Sequence, residues 1–177
     1  VRTFSAFRVF AGLVFSVLQL GACAAPQASA QQPPAGPAEV RVLEFTQGTN
    51  LAVVASPVTG DLVLALQGSL YRLPPGAVQA EPLLLNDDAW EPALSPDGRR
   101  VVYQGYRNGS WDLWQFELAN PRETKQLTDS LFDDREPQYS PDGQHVVFSS
   151  DRAGNYDIWL LTLATGALRQ LTTSPAE

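Results

Sequence analysis

The chain has 177 residues, 44% hydrophobic and 18% charged, enough for one modest apolar core. Its net charge of −7 argues against nucleic acid and against anionic membrane surfaces as partners. With one Cys and one His, an internal disulfide framework and a transition-metal cluster are excluded, and no metal or cofactor is expected.

In chain order, Arg2 and Arg8 lead into the apolar run "VFAGLVFSVLQLGA" (Val9–Ala22), which reads as a secretory signal too short to favour a stable membrane span. The predicted signal covers residues 1–22, with an alternative end at Ala30 after "ASA" (Ala28–Ala30). "LGAC" (Leu20–Cys23) resembles the lipobox of bacterial lipoproteins, which makes Cys23 the expected lipid-attachment residue and new N-terminus. Ala24, rather than Asp, after the cysteine implies sorting to the outer membrane. Two or more acyl chains, at ~0.8 kcal/mol per buried CH₂, make a stable anchor. The expected location is therefore the bacterial envelope: lipid-anchored at the outer membrane facing the periplasm, or soluble periplasmic or secreted if cleavage follows Ala30. Residues 23–39 are rich in Pro, Ala and Gln and read as a linker.

From residue 40 onward the pattern is strands and turns. "EVRVLEFT" (Glu39–Thr46) reads as a leading strand. "NLAVVASPVTGDLVLALQGSLYRLP" (Asn50–Pro74) follows with two strands joined by a short hairpin, and "EPLLLND" (Glu81–Asp87) closes the unit. "EPALSPDGRRVVYQGYRNGSWDLWQFELA" (Glu91–Ala119) then aligns without a gap on "EPQYSPDGQHVVFSSDRAGNYDIWLLTLA" (Glu136–Ala164), forty-five residues on. "QLT" recurs at Gln126–Thr128 and Gln170–Thr172.

A period in the mid-forties built from short apolar runs and turn signals marks a β-propeller. Ser-Pro-Asp-Gly is a tight turn: Pro pre-sets φ, Asp bonds back, and Gly takes positive φ. "RVVYQG" and "HVVFSS" are near-continuously apolar, as strands covered on both faces are. In "DLWQFEL" and "DIWLLTL" the alternation puts Trp114, Phe116 and Leu118 on one face, and Trp159, Leu161 and Leu163 on another. Those aromatics should fill the space between blades, with Tyr71 in the same role in the first unit. The predicted fold class is all-β, with blades of four-stranded antiparallel sheets; about three are present, a partial propeller.

The stretch "SPDG…VVFSSDRAGNYDIWLLTLATGALRQLT" resembles the WD40-like repeats of the TolB-type six-bladed propeller, and the resemblance covers roughly Val40–Thr172. It implies a periplasmic propeller that docks an envelope protein or peptide, a peptidoglycan-associated lipoprotein among the candidates. The first blade is similar to propellers fused to amidohydrolases, and other members are fused to prolyl oligopeptidase-like enzymes. TolB itself carries an α/β domain ahead of its propeller, which the residues before the repeats are too few to hold. Propellers close with four to eight blades. Completion of the ring is therefore expected from sequence beyond Glu177, or by self-association with another copy, the first being favoured.

Catalysis is not expected within this chain. No G-x-S-x-G is present, and the one histidine, His145, stands at a surface strand position where the preceding repeat has Arg100. The acidic runs "NDDAWEP" (Asn86–Pro92) and "DSLFDDREP" (Asp129–Pro137) occupy corresponding loops before the innermost strand. Asp87, Asp88, Asp133 and Asp134 are the candidate face for a cationic partner or a Ca²⁺ ion, against the plainer reading of solvated loops. Arg107-x-Gly109-x-x-Asp112 and Arg152-x-Gly154-x-x-Asp157 read as Arg–Asp pairs bracing a hairpin loop. The expected function is a non-catalytic, envelope-anchored scaffold mediating protein or peptide interaction. The alternative is the N-terminal part of a longer hydrolase with its active site downstream. Trp90, Trp111 and Tyr106 give a third reading, sugar or cell-wall binding.

Overall fold

A computed structural model of the chain describes residues 51–173. The leading strand, the signal, Cys23 and the linker lie outside the described residues. The strands are β1 (Ala52–Ala55), β2 (Leu62–Leu66), β3 (Ser69–Leu73), β4 (Glu81–Leu84), β5 (Ala89–Leu94), β6 (Arg100–Arg107), β7 (Ser110–Glu117), β8 (Asn120–Gln126), β9 (Asp134–Tyr139), β10 (His145–Ser150), β11 (Asp157–Thr162) and β12 (Ala167–Gln170). Among the described residues they form three four-stranded antiparallel sheets, each a meander in chain order: β1 to β4, β5 to β8 and β9 to β12. The first strands of successive sheets, β1, β5 and β9, lie beside one another.

The Ser-Pro-Asp-Gly stretches are the turns between the first two strands of the second and third sheets. Gly98 N donates to Ser95 O at 2.8 Å and Gly143 N to Ser140 O at 2.9 Å, with both glycines near φ +69° and +68°. The serine hydroxyl donates to the aspartate at 2.5 Å in each turn, Ser95 to Asp97 and Ser140 to Asp142. The same hydroxyl accepts the amide that opens the next strand, Arg100 N at 2.9 Å and His145 N at 3.0 Å. "SPVTG" of the first sheet makes the same closure, with Ser56 N donating to Asp61 O at 2.7 Å. Successive turns also touch: a Cβ on Gly98 would come within 2.8 Å of Ser56 Oγ, so that close approach requires glycine.

Register confirms the repeat. Trp114 pairs with Tyr103, Trp159 with Phe148, and Tyr71 with Leu64. The first sheet differs in its β2–β3 hairpin, where Leu66 already pairs with Ser69; the second sheet runs on past the equivalent pair Gly105–Asp112 to close at Arg107–Ser110.

Two apolar clusters join the sheets. Val63, Ala65, Leu70 and Leu84 of the first meet Leu94, Val101, Tyr103, Trp114 and Phe116 of the second, with Leu118 packed against them. On the other side of the second sheet, Ala93, Val102 and Leu113 meet Val146, Phe148 and Leu161, with Trp159 and Leu163 alongside. The repeated tryptophans therefore fill the space between sheets, as their alternation predicts.

The reading of both central strands as covered on two faces holds only for β6. β10 alternates between buried and half-buried positions. Its Val147 and the neighbouring Ile158 are the repeat equivalents of Val102 and Leu113, which are 0% exposed, whereas Ile158 is 42% exposed. The third sheet has no further sheet against that face among the described residues.

"QLT" is explained by a lock that both later sheets share. Thr128 Oγ1 donates to Asp112 Oδ1 at 3.2 Å and Gln126 Nε2 to Asp112 Oδ2 at 3.3 Å. Thr172 and Gln170 do the same to Asp157, at 3.0 Å each. Each threonine hydroxyl also accepts the next strand amide, Leu113 N or Ile158 N, at 2.9 Å. The last strand is thereby pinned to the third through a buried carboxylate.

Candidate binding cleft

An antiparallel meander puts alternate connections at opposite ends. The Ser-Pro-Asp-Gly turns stand at one end; at the other stand the β4–β5 and β8–β9 connectors with the β6–β7 and β10–β11 hairpins. This second end carries the acidic runs. Its loops are tied together: Asp87 N and Ala89 N donate to Gly68 O, Ser110 Oγ to Ser130 O, and Trp111 N to Asp133 Oδ1.

The four predicted aspartates have different fates. Asp134 is 0% exposed and receives two hydrogen bonds from Arg152 Nη2, at 2.7 and 2.6 Å. That pair is internal, and a partner at the surface meets no part of Asp134. Asp87 pairs with Arg107 and accepts the Tyr103 hydroxyl at 3.3 Å. Burial, with Asp87 close by, pushes the Tyr103 phenol well above its ordinary range. Asp133 bonds Arg135 at 2.7 Å. Burial opposes ionisation of Asp133, but the bonds from Arg135, Trp111 N and Tyr156 outweigh it and hold the carboxyl below its usual value. Asp88 is exposed and has no such partner among the described residues.

The expected Arg–Asp pairing within each hairpin is thereby corrected. Arg107 and Arg152 engage the acidic connectors, while Asp112 and Asp157 hold the glutamine and threonine of the last strand. The two arginines even use non-equivalent partners. Ala89 stands where the third sheet has Asp134, so Arg107 reaches back to Asp87 instead. Gly105, where the third sheet has Ser150, leaves Trp114 room to lie at 3.0 Å from a would-be Cβ, and Arg107 stacks 3.8 Å above that indole.

The loops also form an open cleft of about 510 Å³ lined by Leu51, Asp88, Trp90, Glu91, Gln104, Tyr106 and Trp111. Tyr106 and Trp111 pack as a tilted pair with centroids 5.3 Å apart, and the Arg135 guanidinium lies 5.1 Å from the Trp111 ring. Tyr106 is 46% exposed. Sequence reasoning named the three aromatics separately and missed that Glu91 and Gln104 join them. The repeated Glu-Pro was the available signal: Glu91 and Glu136 both adopt positive φ, 47° and 55°, beside register shifts in β5 and β9. Among the described residues no group of three or more His, Cys, Asp or Glu is arranged to hold a metal ion. His145 opens β10, half-buried, its Nδ1 3.7 Å from Asp142 Oδ1 in the turn at the opposite end.

Four-stranded antiparallel meanders packed face to face, with their first strands side by side, are the blades of a β-propeller. Residues 85–177 match the PD40 family of TolB beta propeller domains, and the chain belongs to that family. No curated protein matches. Among solved structures, the chain resembles a TolB-type protein of Agrobacterium tumefaciens at 23% identity and TM-score 0.66, covering 72% of this chain and 48% of that one. It resembles TolB of Acinetobacter baumannii at 24% identity and TM-score 0.62, covering 71% and 33%. A prolyl endopeptidase is similar at 10% identity and TM-score 0.56, covering 73% and 22%. The chain thus spans about half the length or less of each of these structures.

Proposed function

We propose that the chain is a non-catalytic propeller scaffold of the bacterial envelope that binds a protein or peptide at the connector end of its blades. The observation that carries this reading is the cleft there, in which three aromatic side chains and two exposed carboxylates share one cavity. Lipidation at Cys23 would hold the scaffold at the outer membrane facing the periplasm; cleavage after Ala30 would release it. An envelope protein, a peptidoglycan-associated lipoprotein among them, is the expected partner. A photo-crosslinking amino acid at Tyr106 in envelope preparations should trap one protein. The same group at Ala119, in the β7–β8 hairpin at the opposite end, should not. Equal trapping at both ends would refute the assignment.

The second reading, the N-terminal portion of a longer hydrolase, is favoured by the likeness to a prolyl endopeptidase and to an isopeptidase at TM-score 0.53. The mass of the native polypeptide that contains these peptides separates the two. A much heavier species with hydrolase activity supports the enzyme.

A further inference from the structure

We propose that the connector-end cleft of the second sheet is an arginine-binding site: it takes the guanidinium and adjoining backbone carbonyl of an arginine on an extended polypeptide segment. This deepens the scaffold reading and rests on it. Charge is the first argument. Three acidic side chains at this end are paired with arginines: Asp87 with Arg107, Asp133 with Arg135, and Asp134 with Arg152. Asp88 and Glu91, both exposed, line the cavity with no side-chain hydrogen-bond or ion-pair partner among the described residues, and no described Lys or Arg lines it with them. Two carboxylates around one cavity favour a cationic, hydrogen-bond-donating occupant.

Shape is the second. Trp90, Tyr106 and Trp111 present flat apolar surface in the same cavity, and this suits a planar guanidinium and its methylene stem better than a compact ammonium. The protein already stacks its own arginines this way, Arg107 on Trp114 at 3.8 Å and Arg135 on Trp111 at 5.1 Å.

The third is an unused donor. Gln104 is only 7% exposed, and its Oε1 is fixed by the Glu136 amide at 2.7 Å. Nε2 of the same side chain has no hydrogen-bond partner among the described residues, and Gln104 lines the cavity, so this amide is a donor suited to a peptide carbonyl. The carboxylates are pre-positioned. Asp88 and Glu91 sit at φ 46° and 47°, with Asp88 O accepting Tyr106 N at 3.3 Å. A neutral sugar would use the aromatic faces but leave two carboxylates without counter-charge.

The test uses the full chain and a capped Gly-Ser-Arg-Ser-Gly peptide, with its citrulline counterpart as the neutral isostere. Binding is read from the indole NMR signals of Trp90 and Trp111, with Trp159 as the internal reference. The arginine peptide should shift the first two and leave Trp159 unmoved, and the citrulline peptide should bind about tenfold more weakly or worse. Glu91→Gln and Asp88→Asn should each weaken binding by a similar factor, and raising salt to ~0.5 M should weaken it further. Equal binding of both peptides, or unchanged binding by both variants, overturns the proposal. So does a chito-oligosaccharide that moves the same signals when the arginine peptide does not. Crosslinking at Tyr106 that persists while the arginine peptide fails would remove the ligand class and leave the scaffold reading standing.

Discussion

Glu136 holds a left-handed backbone, φ 55°, in the middle of a strand, a conformation that costs a side-chain-bearing residue about 1 kcal/mol or more. Asparagine tolerates it better, so Glu136→Asn should stabilise the protein by roughly 0.5–1 kcal/mol in denaturant titration. The arginines make the opposite case. Arg152 serves a carboxylate that is 0% exposed, and Arg152→Leu leaves Asp134 buried without its counter-charge. The expected loss is about 3–5 kcal/mol, recovered in part by also changing Asp134→Leu. Arg107 and Asp87 are each more than a quarter exposed, so Arg107→Leu should cost only ~1 kcal/mol. Equal losses at the two sites would mean that burial does not set the strength of these pairs.

Within the second and third sheets, the same two devices recur: the serine–aspartate turn and the Asp-Gln-Thr lock. Their carboxylates titrate in opposite senses. In the turn, Asp97 is held below its ordinary value by the Ser95 hydroxyl and the Arg99 amide, and Asp142 by Ser140 and Gln144. Asp61 is lowered by Thr59 and Arg72, against burial. A lowered folded-state pKa contributes stability above the ordinary carboxyl value of 3.8 and loses it as pH falls through the folded value. In the lock, burial raises Asp112 despite the bonds from Ser130 and Thr128. Its contribution has the reverse sign, present below 3.8 and lost as pH rises through the folded value. With Asp133 also held low, four lowered carboxyls against one raised among the described residues predict a melting temperature that falls on acidification below about pH 4. Asp97→Asn should flatten that fall, and an unchanged profile would remove the turn from the account. Between sheets, Trp114 is the largest ring in the first cluster, and Trp114→Ala should cost ~3–5 kcal/mol by chemical denaturation.

At the scale of the molecule, among the described residues, the middle sheet is sealed on both faces and the outer two on one each. Val53 is 56% exposed and Ile158 42%, one on each uncovered side. Those faces carry the residues that seal the second sheet at the same register. The 177-residue chain prepared alone should therefore self-associate with rising concentration in sedimentation velocity, and Ile158→Lys should reduce it. A monomer indifferent to concentration and to that substitution would mean the exposed faces are not adhesive.

What the sequence by itself determined were the features written over a few neighbouring residues. The turns follow from Ser-Pro-Asp-Gly, whose φ preferences and bonds are internal to the motif. The strands and the inward tryptophans follow from two-residue alternation, and the number of sheets from the forty-five-residue period. What only the tertiary structure decided depends on loops of successive sheets meeting. Arg152 lies five residues before Asp157 in sequence yet bonds Asp134, because the connector and hairpin of one sheet share an end. Asp134 and Asp88 read alike in their acidic runs, but one is sealed under an arginine and the other is open to solvent. The cleft gathers Leu51, Glu91, Gln104 and Trp111 from four separate places in the chain. No local propensity encodes such a meeting; side-chain packing between neighbouring sheets creates it, and burial then decides which charges are paired and which remain available.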